Sequence, residues 1–121
     1  MNPAFLSFKM HPTLGINSTP VLIFGAEVTS LIDSVILSNQ VETPLIASLW
    51  IAREVETGFE TDFMLARHVS LVPFETLNFL MNTALTLERG DLLYAMSDYS
   101  DNLFNTFVSY RALKELGVVY Q

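Results

Sequence analysis

His11 and His68 are the only imidazoles in the 121-residue chain, and histidine is the side chain best placed for proton transfer near neutral pH. A Ser–His nucleophile would need Ser70 or Ser97 as its partner. No Gly-x-Ser-x-Gly elbow surrounds either serine, and nothing in the sequence fixes an oxyanion hole. A lone histidine inside a strand is more simply a half-buried, hydrogen-bonded side chain. No catalytic residue is assigned, and the chain reads as a non-enzyme.

Metal chemistry fares no better. Asp98-Tyr99-Ser100-Asp101-Asn102 sets oxygen ligands at alternating positions, as calcium loops do. The loop glycine and the closing bidentate Glu are missing, with Ser109 at the latter's spacing. Asp, Ser and Asn are also ordinary turn residues. The acidic cluster Glu54, Glu56, Glu60 and Asp62 reads as a solvated loop. Cysteine is absent, which removes disulfides, thiolate nucleophiles and Cys-type zinc sites. No metal or cofactor is expected.

Two further patterns remain. Arg89-Gly90-Asp91 spells the integrin-recognition tripeptide, but Gly90 has a local reason to be there, supplying positive φ in a tight turn. Gly90 and Asp91 are therefore read as structural. Trp50, Tyr94 and Tyr99 beside Asp98 and Asp101 form the set best suited to a ligand, because aromatic faces next to polar loops can line a sugar site.

Composition limits the partners. Thirteen acids against six bases leave a net charge of −7. The bases (Lys9, Arg53, Arg67, Arg89, Arg111 and Lys114) are scattered singly, whereas phosphate backbones are gripped by clustered Lys and Arg. Nucleic-acid reading is excluded, although an acidic surface can serve as a non-stick wall beside it. Half the residues are hydrophobic and 16% charged, against roughly 25% charged in soluble domains. With nine Phe and four Tyr, that shortage of charge points to apolar surface buried against other chains, and so to a homo-oligomer. The longest apolar runs are broken by Asp33, Arg53 or Asn78, short of the roughly 18 residues of a membrane span. The N-terminus lacks the basic start and apolar block of a signal peptide. The expectation is a soluble, full-length protein that does not use the general secretory route.

Residues 1–19 carry Pro3, Pro12 and Gly15, and read as an irregular arm whose Phe5, Leu6 and Phe8 need covering. Pro20–Phe24 is a strand ended by Gly25. Val28–Leu37 fits helical and period-two spacing alike, with strand favoured because Ser30, Ser34 and Ser38 are poor helix formers. In Leu45–Ala52, alternation sets Ala47, Leu49 and Ile51 against Ile46, Ser48, Trp50 and Ala52. Arg53–Asp62 reads as an exposed loop, Phe63–Val72 as a strand stopped by Pro73, and Thr76–Leu87 as an extended connection and a strand. Leu85–Leu87 and Leu92–Met96 form a hairpin around Gly90-Asp91, and Leu103–Tyr110 follows as its neighbour. Arg111–Gly117 looks like a helical turn with a Gly stop, and Val118, Val119 and Tyr120 form an apolar tail.

The expected fold is all-β: an antiparallel β-sandwich, Ig-like or jelly-roll-like, of about seven to eight strands. Residues 1–19 would be the arm, 20–111 the sandwich and 112–121 the tail. Phe5, Leu6, Phe8, Val118, Val119 and Tyr120 are the candidate interface residues.

The segments also follow a familiar order. Val35-Ile36-Leu37-Ser38-Asn39 is a strand ending in Asn, and Val72-Pro73-Phe74-Glu75-Thr76-Leu77 is a Pro-containing descent. Leu87-Glu88-Arg89-Gly90-Asp91-Leu92-Leu93 and Val108-Ser109-Tyr110-Arg111 close the series. Over roughly residues 20–112 this resembles small β-sandwich structural proteins of tailed bacteriophages, in which a Leu-x-x-Gly-Asp turn precedes the last two strands. It departs between Val21 and Ser30, where such proteins tend to carry a Pro-Gly-type turn. The resemblance implies a non-enzymatic virion subunit of neck, tail or capsid surface, made in the host cytoplasm and joined to its own copies and other virion proteins. Rings of like subunits form from heterologous contacts that close by rotation. Two other readings stand beside it. One is a receptor- or carbohydrate-binding module of a tail fibre; the other is a small helical regulatory protein built on Val28–Gln40 and Thr76–Leu87.

Overall fold

The computed structural model describes residues 9–54, 60–80, 84–97 and 104–113. Every regular element among them is a strand: β1 (Lys9–Ile16), β2 (Val21–Gly25), β3 (Ser30–Asn39), β4 (Leu45–Glu54), β5 (Glu60–Leu71), β6 (Thr76–Asn78), β7 (Leu85–Leu87), β8 (Leu92–Ser97) and β9 (Phe104–Ala112). One sheet runs β1-β9-β3-β6 with β7 also on β3, and the other runs β2-β8-β4-β5. All pairings are antiparallel. The expected sandwich is thus observed, with nine strands where the sequence pointed to about seven or eight.

Period-two alternation builds the core. Leu45, Ala47, Leu49 and Ile51 of β4, with Leu93 and Ala95 of β8, face Ile32, Val35 and Leu37 of β3 and Phe104 and Val108 of β9. Each fully buried Leu, Ile, Val or Phe adds about 1.5–3 kcal/mol of transfer free energy. In β3 the inward residues skip from Ile32 to Val35. Ile32 lies opposite Tyr110 and Ser34 opposite Ser109, so Asp33 is the extra residue of a bulge. That bulge makes Val28–Leu37 look half helical. The helical alternative is overturned, since both segments proposed for it contain strands.

Four local expectations are corrected. Residues 9–16, read as irregular arm, form β1 along β9. Pro12 is tolerated because an edge strand need not donate on its outer side, and Gly15, at φ 70°, sits where the register slips between Thr13 and Ile16. Arg53–Asp62 is ladder at both ends, because β4 continues to Glu54 and β5 starts at Glu60, with 55–59 outside the described residues. Arg111 and Ala112 prolong β9 instead of starting a helical turn, and the Leu113 N–H donates to the Thr29 carbonyl. Finally, β7 and β8 do not form a hairpin. β7 pairs with β3 and β8 with β2 and β4, so the Gly90-Asp91 turn carries the chain from one sheet to the other. Phe5, Leu6, Phe8, Val118, Val119 and Tyr120 lie outside the described residues.

Asn39, where β3 ends, is fully buried and ties the far end of the sandwich together. Its Nδ2 donates to the carbonyls of Thr43, Leu71 and Val72, and its Oδ1 accepts the Val41 N–H. The strand-ending Asn of the sequence motif thus holds the β3–β4 connection to the end of β5.

Candidate functional site

With the odd residues of β4 inward, Trp50 goes to the outer face of its sheet, together with Ile46, Ser48 and Ala52. The same alternation in β8 sends Leu92, Tyr94 and Met96 outward. Register then brings the aromatics together. Leu22 lies opposite Tyr94, Tyr94 opposite Trp50, and Trp50 opposite Met64, so one row crosses all four strands. The Trp50 and Tyr94 rings are stacked, 5.7 Å between centroids and 14° between planes. An offset stack of this kind leaves each ring one open side and holds both rings still. Ser48 and Ala52, which flank Trp50 on its strand, are small and buried, whereas both rings keep part of their surface in solvent.

At the end of this sheet, Arg53 and Asp91 brace the turn that feeds β8. The Asp91 N–H donates to the Glu88 carbonyl with Gly90 at φ 91°, a type II turn that needs glycine at that position. The turn is docked onto the β2–β3 connection, with the Gly90 N–H donating to the Ala26 carbonyl and the Ala26 N–H to the Asp91 carbonyl. Arg53 donates from both Nε and Nη2 to the Asp91 carboxylate. Hydrogen bonding to Arg53 holds the Asp91 carboxyl below the usual carboxylate range, with help from the Glu88 N–H and against the effect of burial. Gly90 and Asp91 of the integrin-like tripeptide thus build the turn and its docking contacts.

The other candidates separate. His11 is exposed on β1. Ser97 is fully buried, which removes it as an accessible nucleophile. His68 belongs to β5, but its side chain, like those of Glu54, Glu60 and Asp62, lies outside the described part, as do Glu56, Asp98, Tyr99 and Asp101. No cluster of three or more His, Cys, Asp or Glu able to hold a metal occurs among the described residues. No described helix is long and apolar enough to cross a membrane. Of the aromatic set read from sequence, the structure brings Trp50 and Tyr94 together. A cleft beside Lys9, His11 and Tyr110 has no signal in the sequence, because Pro12 and Gly15 disguise β1 as an irregular arm.

No protein-family model matches the chain, and no curated protein matches it. Solved structures do. The CBM22-1 xylan-binding domain from Paenibacillus barcinonensis Xyn10C aligns over 86% of this chain and 72% of its own, at 14% identity and TM-score 0.50. The N-terminal CBM22-1–GH10 modules of Clostridium thermocellum endo-1,4-beta-D-xylanase 10B, complexed with xylohexaose, align over 83% of this chain at 15% identity and TM-score 0.47. The chain spans only 19% of that second protein's length. At 14% identity the likeness to the xylan-binding domain is one of β-sandwich fold.

Proposed function

We propose that the chain is a non-catalytic carbohydrate-binding module whose site is the outer face of the β2-β8-β4-β5 sheet. The stacked Trp50–Tyr94 pair carries the reading. A sugar ring has one face of C–H groups that packs on an aromatic ring, and a rigid pair offers such a surface at low entropic cost. The fold it shares with a xylan-binding domain supports the same direction. Because Trp50 is the only Trp, its fluorescence reports directly on the site. Titration with xylo-oligosaccharides should change that emission and release heat, and Trp50→Ala should abolish the heat while leaving the far-UV circular dichroism unchanged. Neither signal with xylan, cellulose or other β-linked glycans would refute the assignment.

A second reading, a subunit of a virion ring or shell, is favoured by the exposed apolar residues Met10 and Leu14 on the edge strand β1. Light scattering separates the two: a stable oligomer is required here and is not required for sugar binding.

A further inference from the structure

A cleft of about 360 Å³ opens at the end of the sandwich where β1, β2 and β9 meet, apart from the Trp50 face. Ligand sites start at roughly 300 Å³, so this one suits a single sugar residue better than a long chain segment. Its floor is aromatic: Phe24 from one sheet and Tyr110 from the other, 4.5 Å between centroids and tilted by 55°. Lys9 and His11, two apart on β1, line it together with Glu27 and Ser30.

The charges on these walls are unspent. Arg53 is committed to Asp91 and Arg111 to Asp33. Among the described residues Lys9 and Glu27 have neither an ion pair nor a side-chain hydrogen bond. A cation and a carboxylate thus face a common cavity over an apolar floor.

We infer that this cleft binds a uronic acid residue, with the carboxylate on Lys9 and His11, hydroxyls donating to Glu27, and the sugar ring over Phe24 and Tyr110. The inference rests on the carbohydrate-binding reading and deepens it by naming a second subsite and its chemistry. A neutral sugar would make no use of the Lys9 ammonium. A polyuronate is disfavoured by the net charge of −7, which repels a polyanion at long range. The fitting ligand is an isolated acidic sugar on an otherwise neutral glycan. A free aromatic amino acid would meet the same cation, carboxylate and rings, so L-phenylalanine is the rival ligand in the test.

The test is calorimetric titration of the full chain with D-glucuronate, its methyl ester, D-glucose and L-phenylalanine. D-Glucuronate should bind at one site per chain. The ester and D-glucose should bind at least roughly tenfold more weakly, as expected for loss of a charged hydrogen bond. Lys9→Gln should cost a similar factor, Lys9→Arg should recover most of it, and Trp50→Ala should leave D-glucuronate binding unchanged. Equal binding of glucuronate and glucose, an indifferent Lys9→Gln, L-phenylalanine binding as well as glucuronate, or no saturable binding would each overturn the inference. Loss of xylo-oligosaccharide binding in Trp50→Ala alongside any of these would sink this subsite alone. Glucuronate binding without xylo-oligosaccharide binding would sink the outer-face site alone.

Discussion

Arg53 and Asp91, 38 residues apart in sequence, meet as a two-pronged pair: Nε to Oδ1 at 2.7 Å and Nη2 to Oδ2 at 2.6 Å. Asp91 is 1% exposed at its side chain and Arg53 40%. The pair lies where the chain leaves one sheet and enters the other, so it fixes the entry of β8 and, through β8, the placement of Tyr94 beside Trp50. The aromatic site and the inter-sheet turn are in this sense one construction.

The unequal burial makes the two partners respond differently to mutation. Asp91→Ala removes the acceptor for Arg53 and for the Glu88 N–H, and should lower stability by about 1.5–3 kcal/mol. Arg53 is open enough to recover water when its partner is lost. Arg53→Met instead strands a buried carboxylate, and should destabilise more than Asp91→Asn, which loses charge and partner strength together. Urea unfolding of the three variants at neutral pH checks the order.

The same pair predicts an acid response. Because the folded-state pKa of Asp91 is depressed, chiefly by the hydrogen bonds from Arg53, its contribution is fully present above the unfolded-state value of about 3.9. It is lost as pH falls through the lower folded-state value. The stability gap between the native chain and Asp91→Asn should stay constant from pH 7 to 5 and close progressively below about pH 4. Unfolding midpoints measured across that range would show it; a gap that persists undiminished at the acid end contradicts the assignment.

Thr106, on the inward face of β9, has a buried hydroxyl with no hydrogen-bond partner. Thr106→Val keeps the shape and removes the unsatisfied group, so it should stabilise by about 1 kcal/mol. Thr106→Ser keeps the hydroxyl and loses a core methyl, and should destabilise. Opposite shifts of the thermal midpoint are the expected result.

Sequence patterns resolved what depends on near neighbours and missed what depends on distant ones. Alternation in β4 and β8 is regular, and in β4 it already set Trp50 on the face opposite Ala47, Leu49 and Ile51, although it did not say which face was the core. β3 was ambiguous because the bulge at Asp33 breaks the period. β1 was hidden because Pro12 and Gly15 normally stop a strand, and only its edge position, beside β9 alone, makes them acceptable. The Gly90-Asp91 turn was recognisable as a turn, but turn chemistry does not state whether the chain stays in its sheet or changes sheets. The cleft at Lys9 and Tyr110 is assembled from β1, β2 and β9, and no local pattern announces it.

The last prediction concerns Phe74. Val72 to Glu75 form a turn closed by the Glu75 N–H on the Val72 carbonyl. Pro73 suits its second position, while Phe74 holds φ 59° at the third, where a type II turn calls for Gly or Asn. An L-residue with a Cβ pays about 1–2 kcal/mol for that conformation, and Phe74 is 64% exposed, so packing returns little of it. Phe74→Gly removes the strain but adds chain entropy of about 0.5–1 kcal/mol to the unfolded state. The net should be a gain of about 0.5–1 kcal/mol. Phe74→Ala keeps the Cβ and the strain, and should give no gain. If both variants are less stable than the native chain, the ring has a packing role that its exposure conceals.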